Sequence, residues 1–292
     1  RSTLFPYTTL FRSLFIRGMR IAEGKGCAAN GYFTCRWHSW TYRMDGSIRS
    51  VPERPSFVGL DPLENTGPVV HCDTNGGFVW INLSPGPVEP LHEYMGEVAT
   101  DLGNSEFPEF RLFRTTTLDV PVDWKLAVDS FIEAYHVRYL HKDTVGKSLL
   151  TPSVSYHILG RHSLLCQPFA KGYDAERYRQ PVDHYQNADN QFFVFPASTL
   201  DVVGGHAYSM SFLPLAADLT RIQIWQTYST EKAGSIDRQE DYWEKFMEIA
   251  GEDVEVLTAV GEVRTSSAYG PMLLNRAECR IQHMNRDRKS VV

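Results

Sequence analysis

Short runs of alternating apolar and polar residues, separated by Gly and Pro, cover the first third of the chain. GGFVWINL, residues 76–83, is typical of them. Alternation with a period of two predicts half-buried strands. Residues 14 to about 110 are therefore predicted to form a small all-β domain, which ends in a Pro-rich linker and a short helix within LSPGPVEPLHEYMGE.

The pattern changes at about residue 111. The segment RTTTLDVPVDWKLAVDSFIEAYHVRYLH begins like a strand and becomes helical from Trp124. Further along, SMSFLPL and RIQIWQTY flank AADLT as the arms of a hairpin. The charged, amphipathic residues 235–263 predict a helix with a break near Gly251. Because no strand–helix–strand alternation occurs, we expect an α+β protein with antiparallel sheets.

Composition and charge narrow the classes of function. The chain has 292 residues, of which 42% are hydrophobic and 22% are charged, and its net charge is −6. This charge gives no reason to expect nucleic acid or an anionic membrane as a partner. No apolar run approaches the ~18 residues of a transmembrane helix. The five cysteines form no paired framework, so we expect a reducing, cytoplasmic environment.

The segment DSFIEAYHVRYLH concentrates ionisable residues that suit a metal site. On one continuous helix, Asp129, Glu133 and His136 would share a stripe. His141 would lie about 140° round the axis from His136, so the two imidazoles meet at one metal only if the helix ends or distorts between them. Two histidines and one carboxylate leave positions open for dioxygen and substrate at ferrous iron.

The third ligand is expected from the charged helix near the end of the chain. This helix offers Asp253, with Glu252, Glu255 and Glu262 as alternatives. Charged helix faces are usually just solvated, and spacing alone does not choose among the four carboxylates.

A second metal site is only half specified. CRWHSWTYRMDG places Cys35 three residues before His38, which gives two of the four ligands that a closed site needs. Together with WKLAVDSFIEAYHVRYLH and GEDVEVL, this string resembles the α subunits of Rieske-type ring-hydroxylating oxygenases over nearly all of residues 14–286. The resemblance implies a [2Fe–2S] cluster with Cys35 and His38 as one of its two ligand pairs.

By the same resemblance, His136, His141 and Asp253 bind a mononuclear iron. Glu133 stands where the family has the carboxylate that bridges this iron to the Rieske histidine of a neighbouring subunit. The implied fold is a small all-β Rieske-like domain followed by a helix-grip catalytic domain, in which an antiparallel sheet wraps round a helix.

The resemblance also implies a reaction and its partners. The reaction is dioxygen-dependent hydroxylation of an organic, most often aromatic, substrate, with electrons from NAD(P)H delivered through a reductase and in some members a ferredoxin. The implied assembly is a homotrimer, with or without a β subunit. A quaternary-amine Rieske monooxygenase is the alternative within the enzyme class. A non-catalytic helix-grip module that binds an apolar ligand is the alternative outside it, because fold alone does not fix function.

The first ligand pair of the implied cluster is absent from the sequence. The family pattern has a C-x-H segment immediately before an Arg-Gly pair, which here is Arg17 and Gly18. Cys and His are therefore expected at positions 14 and 16, where the chain has Leu14 and Ile16. A polypeptide with this sequence is expected to lack the cluster and to be inactive.

Both ends of the sequence resemble translated adapter DNA. TLFPYTTLFRS, residues 3–13, matches a translation of a common sequencing adapter, and DRKSVV, residues 287–292, matches the reverse complement of the same adapter in another frame. We therefore expect four segments: an artefact at 1–13, a partial Rieske domain at 14–110, the catalytic domain at 111–286 and a second artefact at 287–292.

Overall fold

The computed structural model describes residues 13–14, 19–22, 28, 30–61, 70–84, 86–104, 109–171, 173, 188–231, 234, 236–264, 266, 270 and 272–288. Most of the two predicted artefact segments lies outside these residues, as does Ile16. The chain divides into two compact units, which are Arg1–Thr74 with Val79–Glu89, and Asn75–Phe78 with Pro90–Val292.

The first unit contains short antiparallel strands, as the alternating pattern predicts. They are β1 (Ser13–Leu14), β2 (Met19–Arg20), β3 (Tyr32–Thr34), β4 (Thr41–Arg43) and β5 (Ile48–Ser50). Strands β3, β4 and β5 form one sheet, and Trp40, Tyr42 and Ile48 are its buried apolar side chains. Strands β6 (His71–Asn75) and β7 (Phe78–Asn82) form a hairpin. Residues 75–78 of this hairpin are assigned to the second unit and its other residues to the first.

The second unit is built on one antiparallel sheet of seven strands in the order β8-β14-β13-β12-β11-β10-β9. These strands are β8 (Arg111–Val120), β9 (Ser155–Leu159), β10 (His162–Pro168), β11 (Ala188–Val194), β12 (Ser198–Val203), β13 (His206–Ala216) and β14 (Leu219–Tyr228). The predicted hairpin around AADLT is confirmed as β13 and β14, which turn at residues 217–218.

Helices of the second unit contribute to the same core as the sheet. They are α1 (Leu91–Met95), α2 (Glu97–Asn104), α3 (Trp124–Phe131), α4 (Ile236–Arg264) and α5 (Cys279–Arg288). Val128 of α3, Leu257 of α4 and Met284 of α5 are buried in one cluster with Phe212 and Ile224 of the sheet. This arrangement confirms the predicted α+β class. Within the described residues, no helix is both long and apolar enough to cross a membrane.

The predicted break in the last long helix is wrong. Helix α4 runs without interruption from Ile236 to Arg264 and passes through Gly251. A glycine inside a helix costs only about 1 kcal/mol relative to alanine, and burial of side chains such as Trp243 and Leu257 outweighs that cost.

Candidate metal centre and its cavity

The segment that follows α3 forms a series of turns. Asp123 begins α3, because its side chain accepts hydrogen bonds from the backbone N–H groups of Lys125 and Leu126. The helix ends at Phe131, so Asp129 is helical whereas residues 133–141 are not. The single helical stripe considered for this segment is therefore wrong. The helix ends before both histidines and not between them, so no continuous helix keeps the two imidazoles apart.

Glu133 fixes the start of these turns. Its Oε2 accepts hydrogen bonds from the backbone N–H groups of Tyr135 and His136, the latter at 3.1 Å. Its Oε1 pairs with Nδ1 of the His136 ring. One carboxylate thus holds both the backbone and the imidazole of His136, which directs Nε2 of that ring away from Glu133.

His141 is buried and lies close to His136. Only 2% of His141 is exposed, and the two ring centroids are 5.1 Å apart at an interplanar angle of 75°. Its carbonyl accepts hydrogen bonds from the backbone N–H groups of Thr144 and Gly146. A Cβ at position 146 would lie 2.6 Å from this carbonyl oxygen, so the turn requires glycine there.

Asp253 on α4 completes a group of three. Its Oδ1 lies 3.2 Å from Nε2 of His141 and 3.7 Å from Nε2 of His136, and the three ligand atoms all lie within 4.8 Å of one another. Within the described part of the chain, this is the one cluster of three His, Cys, Asp or Glu side chains close enough to share a metal ion. We call it the triad.

Glu252, the neighbour of Asp253, occupies a different place. Its Oε2 lies 2.6 Å from Nδ1 of His141 and accepts a 2.8 Å hydrogen bond from the Thr144 hydroxyl. The hydrogen bond from His141 holds the pKa of Glu252 below its usual range. Burial alone would lower the pKa of His141, but its hydrogen bonds to Asp253 and Glu252 raise it overall. Glu252 therefore orients His141, and a ligand set that replaced Asp253 with Glu252 does not fit this geometry.

The donor set of the triad fits ferrous iron. Two imidazole nitrogens and one carboxylate oxygen on one side of an iron leave other coordination positions free. Each Nδ1 faces a glutamate, so each Nε2 is the free donor, as in metal sites where a carboxylate orients the ligating histidine.

A [2Fe–2S] cluster does not fit the described residues in the same way. Cys35 is half-buried, His38 is exposed, and the tight turn between β3 and β4 carries both. The ring of Trp37 stacks on that of His38, with centroids 5.1 Å apart. No second pair of Cys and His lies with them among the residues that the structure describes, and a Rieske cluster needs two pairs.

The triad opens onto a cavity of about 520 Å³. Apolar side chains such as Leu165 and Met210 line part of it, and two stacked ring pairs line another part. His206 stacks on Tyr242 at 4.1 Å, and Tyr208 stacks on Phe246 at 4.0 Å. Burial lowers the pKa of His206 to about 4, so this imidazole is neutral near neutral pH.

Three candidate residues of the functional site are not predicted by the sequence. Asp189 and Asp201 line the cavity from β11 and β12. The buried Arg280 on α5 donates to the carbonyl of Ile132 at 3.0 Å and to Oε1 of Gln191 at 2.7 Å. A charged residue inside an alternating strand, as in ADNQFFV, is a weak signal, because such residues usually face solvent.

Two family models match the chain. One is described as the Rieske [2Fe-2S] domain and covers residues 17–66. The other is described as the ring hydroxylating alpha subunit (catalytic domain) and covers residues 107–292. The Rieske match begins after Leu14 and Ile16 and includes Cys35 and His38. The second match includes all three residues of the triad.

Individual proteins resemble the chain at low sequence identity. The carnitine monooxygenase oxygenase subunit of Escherichia coli K12 is 24% identical over 261 residues, which are 87% of this chain and 67% of that relative. A quaternary ammonium Rieske monooxygenase studied for carnitine oxidation and inter-subunit electron transfer superposes with a TM-score of 0.78 at 18% identity, over 94% of this chain and 77% of that one. Naphthalene 1,2-dioxygenase from Rhodococcus sp., bound to indole, superposes with a TM-score of 0.73 at 17% identity, over 96% and 79% of the two chains.

Proposed function

The chain belongs to the family of ring-hydroxylating oxygenase α subunits, in which a Rieske domain precedes the catalytic domain, and on this premise we propose that His136, His141 and Asp253 hold its mononuclear iron. The observation that carries the proposal is the convergence of three ligand atoms within 4.8 Å at the edge of a cavity. Bound there, ferrous iron would supply the activation of dioxygen for hydroxylating an organic substrate held in the cavity.

The side chains around the triad orient its histidines and line the cavity. Glu133 and Glu252 hold the two imidazoles with Nε2 toward Asp253, so the ligand atoms are placed before any ion arrives. Val137, Leu149 and Phe169 contribute apolar lining to the cavity. Such lining excludes water from a reactive site.

A second task of Glu133 rests on the family resemblance alone. We assign it the place of the carboxylate that contacts the Rieske histidine of a neighbouring subunit, which requires a complete cluster. The electrons would come from NAD(P)H through a reductase, with or without a ferredoxin, and the assembly we propose is a homotrimer, with or without a β subunit. The odd and sparse set of five cysteines favours the cytoplasm as its compartment.

Two substrate classes follow from the relatives. A neutral aromatic compound suits the apolar and aromatic lining and is the substrate class expected from the family resemblance. A quaternary amine is favoured by the relatives named for carnitine and quaternary ammonium compounds, and by the carboxylates that line the cavity. The two classes differ in charge, so the charge of the cavity separates them.

The iron site is tested with Fe(II) and nitric oxide. Purified protein loaded anaerobically with Fe(II) and then exposed to nitric oxide should give the electron paramagnetic resonance signal of a spin-3/2 iron–nitrosyl centre, because the triad leaves coordination positions free. His136→Ala and His141→Ala should each abolish the signal. His157→Ala, at an exposed histidine on β9, is the matched control and should retain it.

The same experiment decides between the enzyme and a non-catalytic binding module. A module that holds an apolar ligand in the cavity would bind no iron, and its loaded sample would give no nitrosyl signal. A signal that persisted unchanged in both His→Ala variants would show that the iron sits elsewhere, and the assignment of the triad would then be wrong.

A further inference from the structure

The cavity has a second polar wall, distinct from the triad, made of Asp189 and Asp201. Gln191 of β11 lies opposite Asp201 of β12, so Asp189, two residues before Gln191, projects from the same face of the sheet as Asp201. Asp201 is 8% exposed. Oδ1 of Asp189 and Oδ2 of Asp201 have no hydrogen-bond partner within the described residues. Two acceptor oxygens are therefore left unsatisfied on residues that line the cavity.

The charge of this wall is poorly compensated. Gln191 donates to Oδ1 of Asp201 at 2.8 Å, and Arg280 in turn donates to Gln191 at 2.7 Å, so a neutral amide stands between the guanidinium and Asp201. Burial and the charge of Asp189 raise the pKa of Asp201 more than the charge of Arg280 lowers it. Burial raises the pKa of Asp189 to about 7. Burial, followed by the charge of Asp189, raises the pKa of Asp201 well above its usual range. A cation placed in the cavity would relieve both effects.

Most of the other charged side chains that line the cavity are acidic as well. Besides Asp189 and Asp201, four acidic side chains line the cavity within the described residues, those of Glu133, Asp143, Glu248 and Asp253, against the ammonium of Lys245. Five tyrosine and phenylalanine rings also line it within the described residues, and such rings attract cations to their faces. They are those of Phe131, Phe169, Tyr208, Tyr242 and Phe246. A cavity of this charge repels an organic anion and offers a neutral arene no partner for its buried carboxylates.

We propose that Asp189 and Asp201 form a subsite for a positively charged nitrogen, so that the substrate is an organic ammonium ion. The proposal rests on the proposed function for the reaction that follows binding, but binding of a cation requires neither iron nor a cluster. Asp189 and Asp201 would then determine specificity and favour a quaternary amine over a neutral aromatic compound.

Calorimetric titration of the purified chain tests the subsite with charged probes and a neutral isostere. The probes are choline, benzyltrimethylammonium, and 3,3-dimethylbutan-1-ol, which has the shape of choline without its charge. We expect at least one cation to bind, and choline to bind at least about tenfold more tightly than the alcohol. Asp201→Asn should reduce this preference to about twofold or less. Asp218→Asn, in the exposed turn between β13 and β14, should leave it unchanged.

Each outcome of the titration either supports or overturns the proposed subsite. Equal affinity for choline and the alcohol, failure of both cations to bind, or a preference that survives in Asp201→Asn would overturn the subsite. If Asp201→Asn does not give a cooperative melting curve, Asp189→Asn replaces it with the same expected loss. Failure of the iron–nitrosyl test with an intact cation preference would refute the oxygenase alone, and the reverse result would refute the subsite alone.

Discussion

At the residue scale, each triad histidine is held between two carboxylates. Asp253 faces the Nε2 atoms of both rings, Glu133 faces Nδ1 of His136, and Glu252 faces Nδ1 of His141. The sequence allowed the triad to be predicted from motifs and resemblance. Spacing alone did not separate Glu252 from Asp253, because adjacent residues on a helix differ only in direction, and direction depends on packing; the choice of Asp253 came from the family resemblance.

Replacing the two neighbouring carboxylates should have unequal effects. Asp253→Asn removes a charged ligand and should abolish tight Fe(II) binding. Glu252→Gln leaves the ligands in place but loosens His141, and should weaken Fe(II) binding about 10- to 100-fold. Glu255→Gln, exposed on the same helix, should have no effect. Anaerobic Fe(II) titration measures all three, and a larger loss in Glu252→Gln than in Asp253→Asn would mean that the wrong carboxylate has been assigned.

The buried carboxyl of Asp201 should make stability depend on pH. Its folded-state pKa is raised above the ordinary 3.8, so between these values the unfolded chain is ionised while the folded chain keeps the proton. Stability therefore falls as pH rises through this window. Asn cannot ionise, so the melting temperature of Asp201→Asn relative to wild type should be higher at about pH 8 than at about pH 5. A difference that is the same at both pH values would contradict the raised pKa.

At the scale of elements, α4 and the turns after α3 bring distant parts of the chain to one point. The sequence pattern located both segments, but placed a break at Gly251 and extended α3 through His136. One error has a local cause and the other a tertiary one. Glu133 caps the backbone of Tyr135 and His136 in a non-helical form, and packing of α4 against the sheet overrides the low helix propensity of glycine.

Two glycines of α4 should respond in opposite ways to the same substitution. A Cβ at Gly251 meets nothing within 4 Å, so Gly251→Ala should stabilise the protein by about 0.5–1 kcal/mol. A Cβ at Gly261 would overlap the carbonyl oxygen of Pro121, so Gly261→Ala should destabilise it by about 1–3 kcal/mol. Chemical denaturation measures both.

The pair of glycine variants also reports on the metal site. Gly261→Ala pushes α4 away from residues 121–122 and should lower the affinity of the triad for Fe(II), since α4 carries Asp253. Equal stability of the two variants would show that α4 is not held closely against that segment.

At the scale of the whole molecule, the pattern of strands and helices was enough to predict the class and order of the two parts. The shape and charge of the cavity were not predictable, because they depend on β11, β12, α4 and α5 meeting in space. The prediction of an incomplete cluster, by contrast, comes from the sequence alone, because it depends on Leu14 and Ile16 standing where a thiolate and an imidazole are expected.

Metal and sulfide analysis of the reconstituted 292-residue chain tests the central claim most directly. We propose that the triad holds one mononuclear iron, and the family pattern expects a cluster ligand pair at positions 14 and 16, where the sequence has Leu14 and Ile16. Iron and sulfide supplied anaerobically should therefore leave about one iron per chain, with no acid-labile sulfide and no visible Rieske absorption. That iron should be lost in His136→Ala and His141→Ala. About three irons per chain with acid-labile sulfide, or one iron that both variants retain, would contradict the account.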